Sequence, residues 1–142
     1  MALRALVTLG PALDASEFRV PPNVRLEAFV AHGAVLPYVA AVVTQCGLRT
    51  VTKALAHGVP LVCIPVIGEQ RENAARIEAL GAAIRLVPSA GSDEIRAAID
   101  RVLDEPRFRE AAQRAAVELR GENGADLATA ELESLAPPGG AA

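Results

Sequence analysis

Four apolar runs of strand length punctuate the first half of the chain: ALRALVTL (2–9), NVRLEAFV (23–30), VAAVVT (39–44) and PLVCIPV (60–66). A weaker fifth, AAIRLV, follows at 82–87. The runs at 39–44 and 60–66 are apolar on both faces, the pattern of central parallel strands covered by helices on each side. Between and after these runs the apolar spacing is helical. Leu48, Val51, Ala54 and Leu55 share one face, with Gly58 as the C-terminal stop and Pro60 just beyond. Asn73, Ile77 and Leu80 continue the spacing before Gly81. Ser92 is expected to cap a helix whose first turn is acidic, at Asp93 and Glu94. Its apolar face is Ile95, Ala98, Ile99, Val102 and Leu103. Pro106 opens the next helix, with a face of Phe108, Ala111, Ala112, Ala115 and Leu119. Gly121 and Gly124 bracket a break before a last helix ending near Leu135, and the tail PPGGAA is expected to be disordered.

Alternating strands and helices predict an α/β fold, a doubly wound, mostly parallel sheet of about five or six strands with helices on both faces. In such sheets ligands bind outside the carboxyl ends of the strands. That rule directs attention to the loops Gly10–Pro11, Val30–Gly33, Gln45–Thr50 and Gly68–Gln70.

Composition narrows the chemistry. The 142 residues are 51% hydrophobic but 3% aromatic, so the core must be built from Val, Leu, Ile and Ala. A net charge of −3 argues against a nucleic-acid surface. Charge is unevenly spread: residues 1–68 carry five basic and three acidic groups (+2), and residues 69–142 carry nine and fourteen (−5). The first half can therefore tolerate an anionic ligand. Cys46 and Cys63 form no C-x-x-C pair and have no histidine at zinc spacing, which predicts free thiols in a reducing, cytoplasmic setting. No apolar stretch approaches a membrane span, and the N-terminal run reads as a strand, not a signal peptide.

The loop Thr44-Gln45-Cys46-Gly47-Leu48-Arg49-Thr50 joins a strand to a helix. Free N–H groups and the dipole at that helix start suit a phosphate. Gly47 allows close approach, Arg49 brings a full charge and Thr50 a hydroxyl. Neither G-x-x-x-x-G-K-[ST] nor G-x-G-x-x-G is present. An ordinary turn with Thr50 as cap fits the same residues. Glu69 and Gln70 could grip neighbouring hydroxyls, as a sugar requires, or Glu69 could simply complement the helix dipole. Asn73 could support that loop or lie exposed. Phe29 could face a planar base with His32 hydrogen-bonded beside it; the alternative is core packing with a surface histidine. His57 reads as a partner of its helix C-terminus.

From Val42 to Ala75 the order is strand, Q-C-G-x-x-T, helix, G-V-P, apolar strand, then E-Q-x-x-N-A. This order resembles the signature region of inverting glycosyltransferases of the GT-B fold, in the UDP-glycosyltransferase-like family of plant and antibiotic-pathway enzymes. The similarity extends to VTLG near the start, to residues 22–44 and to the terminal helices. It implies that residues 1–136 are the C-terminal, donor-binding, Rossmann-like domain, with residues 137–142 a tail. By the same resemblance Phe29 packs on the nucleobase, Val30 meets it through its backbone, and His32 lies near the nucleoside. Gly10 stands in the first of the loops around the donor. Cys46, Gly47 and Thr50 fall in the diphosphate loop, and Glu69 and Gln70 bind donor-sugar hydroxyls. The resemblance implies no metal and no cofactor beyond the substrate, a UDP- or dTDP-linked sugar, because helix dipole and loop donors stabilise the leaving diphosphate.

Four positions depart from the family's pattern. Gln45 stands where a histidine faces the diphosphate, and Arg49, in place of a small or polar residue, can supply the charge. Lys53 occupies a position where plant enzymes hold ribose with a glutamate. Pro11 removes one backbone donor. The family also has an N-terminal domain that binds the acceptor and carries the general base, and none of these 142 residues matches it. The expectation is the donor-binding half of a transferase, inactive alone. The competing expectations are a non-catalytic nucleotide-sugar-binding module or subunit of a split enzyme, and a domain that has lost its ligand.

Overall fold

The computed structural model describes residues 3–121, 129, 131 and 134. The chain divides into two compact units, Met1–Tyr38 and Val39–Ala142.

In the first unit β1 (Ala5–Thr8) and β2 (Val24–Glu27) pair in parallel, Ala5 opposite Val24 and Thr8 opposite Glu27. The ladder continues past the strands, since Leu9 N–H donates to Glu27 O and Gly10 N–H to Ala28 O. The connection between them holds a 3-10 turn at Ala15–Glu17. Asp14 starts that turn by accepting the Ser16 N–H at 2.8 Å, a bond that holds its carboxyl below the ordinary carboxylate range. After β2 come a short helix, α1 (His32–Val35), and a 3-10 turn at Leu36–Tyr38.

The second unit is a parallel ladder of β3 (Val42–Thr44), β4 (Leu61–Cys63) and β5 (Ala83–Arg85), in that order across the sheet. Among the described residues the strand count is thus five, distributed over two ladders of two and three strands. The central strand β4 is completely buried, as its uninterrupted apolar run predicts. The same pattern at 39–44 misleads. Only its last three residues are strand, β3 bonds to β4 alone, and Val43 is 46% exposed. Ahead of the strand, Ala40 offers its carbonyl to Arg109 Nη2 at 2.7 Å and Ala41 packs on the core, so the leading alanines serve a loop.

The helices are α2 (Leu48–Ala56), α3 (Gly68–Ala79), α4 (Ser92–Asp104) and α5 (Pro106–Gly121). The crossover helices α2 and α3 pack together. On β4 packs α4: Val62 meets Ala98, Val102 and Phe108, flanked by Ile84, Leu86 and Ile99. The fifth helix, α5, serves both α4 and α2, with Ala111, Ala112, Ala115 and Ala116 buried along its length. Small aliphatic side chains let these helices approach closely, which is how a chain nearly without aromatics fills a core.

Gly58 ends α2 at φ 66°, the left-handed conformation that a glycine adopts without a Cβ penalty. Pro106 opens α5 as expected. One cap is shifted: Gly91, not Ser92, precedes α4, and Glu94 Oε2 reaches back to accept its N–H at 2.9 Å. The acidic first turn itself supplies the cap, leaving Ser92 as the first helical residue. Most of the expected last helix, and the tail at 137–142, lie outside the described residues. Among the described residues no helix is long and apolar enough to cross a membrane.

Candidate functional site

Parallel pairing puts Thr44, the end of β3, opposite Cys63, the end of β4. Both segments therefore leave the ladder at the same edge, and each feeds a helix start. The first loop turns on Cys46, the only non-glycine position with positive φ (68°) among the described residues. A side chain there costs about 1–2 kcal/mol in a left-handed backbone, so the turn must be held. Its N–H donates to Thr44 Oγ1 at 3.2 Å, and its carbonyl accepts from Asn73 Nδ2 at 3.1 Å. Its side chain is fully buried, with Sγ 3.8 Å from Thr44 O.

Gly47 then precedes α2 with no side-chain cap. The N–H groups of Thr50 and Val51 both return to Gly47 O, at 3.0 and 3.1 Å. Those of Leu48 and Arg49 precede the first intrahelical donor and have no acceptor among the described residues. Thr50 is the third helical residue, not the cap, so the ordinary capped turn is not what forms. A Cβ on Gly47 would meet nothing within 4 Å, so the glycine leaves the mouth of the loop open. Gln45 and Arg49 are exposed beside it, and Lys53 is exposed one turn along α2.

The second loop runs from β4 into α3. Glu69 is exposed in the first turn, in line with the helix dipole. Gln70 points inward, only 6% exposed, and its Oε1 accepts the N–H groups of Val66 at 2.9 Å and Ile67 at 3.2 Å. Both lone pairs of the amide oxygen are thereby used, and what Gln70 can still offer a ligand is its NH2. Asn73 is half-buried and spans from α3 to the first loop. The heads of α2 and α3 form one polar edge tied by that bond.

In the first unit, Gly10 has φ 74° and spends its N–H on Ala28 O, with Pro11 next in the chain. Phe29 follows β2 and is 82% exposed, so the core-packing alternative fails and its ring faces are free. Val30 and His32 are half-buried, His32 as the first residue of α1. His57 lies at the end of α2 with Nδ1 2.8 Å from Lys53 O, to which it donates, as a partner of that helix terminus.

Both cysteines are free and fully buried. The hydrogen bond with Cys46, reinforced by burial, holds the Cys63 thiol far above the ordinary thiol range. Cys46 is thus a packing element of the loop and not an accessible nucleophile. Among the described residues no group of three His, Cys, Asp or Glu side chains comes together to hold a metal ion. The pattern of residue types did not expose the part played by Thr44. A hydroxyl two positions before a turn residue, poised to accept its N–H, is the local signal that could have found it.

The profile of the family described as "Erythromycin biosynthesis protein CIII-like, C-terminal domain" matches residues 6–134. The chain is 46% identical over 105 residues to 4'-demethylrebeccamycin synthase of Lentzea aerocolonigenes, covering 73% of this chain and 24% of that protein. A solved glycotransferase of kitacinnamycin superposes with a TM-score of 0.86 at 30% identity, over 94% of this chain and 35% of that one. Glycosyltransferase VinC in complex with dTDP superposes with a TM-score of 0.73 at 27% identity, over 84% and 38%. The chain thus spans about a quarter to two fifths of the length of these proteins. It belongs to the erythromycin biosynthesis protein CIII-like C-terminal domain family, the C-terminal halves of GT-B glycosyltransferases.

Proposed function

We propose that this chain is the donor-binding half of an inverting glycosyltransferase. It holds a nucleotide diphosphate sugar while an acceptor hydroxyl, activated by a base in a second domain, displaces the diphosphate at the anomeric carbon. One observation carries this reading: two helix starts lie at the same edge of adjacent parallel strands, joined by Asn73. The N–H groups of Leu48 and Arg49, the Thr50 hydroxyl and the Arg49 guanidinium meet the diphosphate. They are in place before reaction, so they stabilise the charge that grows on the leaving group without reorganising. Glu69 and the Gln70 NH2 take sugar hydroxyls. Phe29, Val30 and His32 of the first unit are the residues that the resemblance assigns to the nucleoside, and Phe29 keeps its ring exposed for a base. Gln45 donates where a charged group is not needed, because Arg49 brings the charge.

The partner in this reading is an N-terminal acceptor-binding domain, and a cytoplasmic setting accords with the two free buried thiols. The VinC complex, a 27% identical structure, makes dTDP the first nucleotide to try, with UDP beside it. Calorimetric titration of the chain with dTDP and UDP tests the reading. Binding of one or both is expected, weakened in Thr50→Ala by about tenfold, the worth of a hydrogen bond to a charged group. No binding at millimolar nucleotide, by this chain and by the full-length protein that contains it, overturns it.

A further inference from the structure

Among the described residues Asn73 is the one side chain that hydrogen-bonds between α3 and the first loop, and its target is a strained residue. Cys46 keeps its left-handed conformation through three holds. Two of them come from Thr44 at the strand end, whose Oγ1 accepts the Cys46 N–H and whose carbonyl accepts from Cys46 Sγ. The third, on the carbonyl, comes from Asn73 alone.

That carbonyl belongs to the Cys46–Gly47 peptide, which is planar and trans, so its C=O and the Gly47 N–H point in opposite directions. Pulling the oxygen toward α3 turns the Gly47 N–H away from α3. This N–H has no acceptor among the described residues. It adds a third donor without an acceptor to those of Leu48 and Arg49.

We infer that Asn73 is a positioning residue: by gripping the Cys46 carbonyl it aims the Gly47 N–H at the diphosphate of the donor. The inference rests on the donor-binding reading of this loop. Without the grip the peptide is free to rotate, and a rotated peptide presents its carbonyl oxygen to an anion in place of a donor. Asn73 touches no ligand itself. The amide also couples the two loops, since it stands one turn after Gln70 on the same helix.

The test compares the chain with Asn73→Ala and Asn73→Asp. The aspartate keeps the shape, but ionised it only accepts, so it cannot bind a carbonyl. Affinity is measured for UDP and dTDP and for the bare nucleosides uridine and thymidine, and hydrogen exchange is followed at residues 45–50 without ligand. Both variants are expected to bind the diphosphates about tenfold more weakly, to bind the nucleosides unchanged, and to exchange faster in this loop but not in α4 or α5. Equal losses for diphosphate and nucleoside, with faster exchange throughout, would mean a general structural role and overturn the inference. So would an Asn73→Asp variant that binds like the parent. If neither the parent chain nor the full-length protein binds a nucleotide, the donor-binding reading fails by itself. Loop-confined exchange in the variants would then still show that Asn73 holds the turn, and unchanged exchange would show that it does not.

Discussion

At Gln70 the two ends of one amide have different tasks. The oxygen closes the β4–α3 loop on itself by accepting the N–H groups of Val66 and Ile67, while the NH2 stays available to a ligand. Gln70→Ala therefore removes more than the proposed sugar contact. It leaves two backbone donors without their acceptor in a loop that is partly buried, at a cost of about 1–3 kcal/mol. The expected outcome is a lower midpoint in chemical denaturation with an unchanged slope, in addition to weaker donor binding. A Gln70→Ala chain as stable as the parent would show the amide oxygen to be dispensable. The sequence marks Gln70 correctly as a polar residue at a strand end. Which end of its amide faces inward is not legible, because the direction of a loop side chain follows from its neighbours' free N–H groups. Cys46 is similar. A left-handed backbone is announced by glycine or asparagine, and nothing in a cysteine announces it.

The elements themselves were largely written in the apolar spacing. Each of the five runs contains a strand, and Gly58, Gly81 and Pro106 mark helix limits where they were expected. Periodicity tells which face of a strand is buried, but not which strand lies beside it. The division into two ladders and the exposure of Val43 were therefore not readable from it. At the joint between α4 and α5, Glu105 accepts from Arg101 Nε at 2.9 Å and Arg107 Nε at 2.7 Å. These two bonds hold its carboxyl below the ordinary glutamate range. A carboxyl with a depressed folded pKa stabilises the fold at neutral pH, and that contribution is lost as pH falls through the folded value. Thermal melts of the parent and Glu105→Gln from about pH 7 to about pH 3 should therefore converge on the acid side. A difference that is constant across the range would exclude this role.

On the scale of the molecule, α5 is the element on which the second unit depends. It buries Phe108 in the cluster under β4 and lays four alanines against its neighbours. A chain ended at Asp104 should lose cooperative thermal unfolding by circular dichroism, since those apolar surfaces would open to water together. A sharp melt in the shortened chain would contradict it. The same helix reaches the far end of α2. A Cβ on Gly58 would stand 3.1 Å from Gln113 Cγ, and Arg120 Nη2 donates to Ala56 O at 3.1 Å. The loop proposed for the diphosphate sits at the head of α2, and that helix is secured at its foot by Arg120, 64 residues after Ala56. Anyone recombining such enzymes to exchange donor preference inherits this constraint. A crossover point placed between α4 and α5 would pair one parent's loop with the other parent's anchor, whereas a point beyond Gly121 transplants the loop together with the helix that seats it.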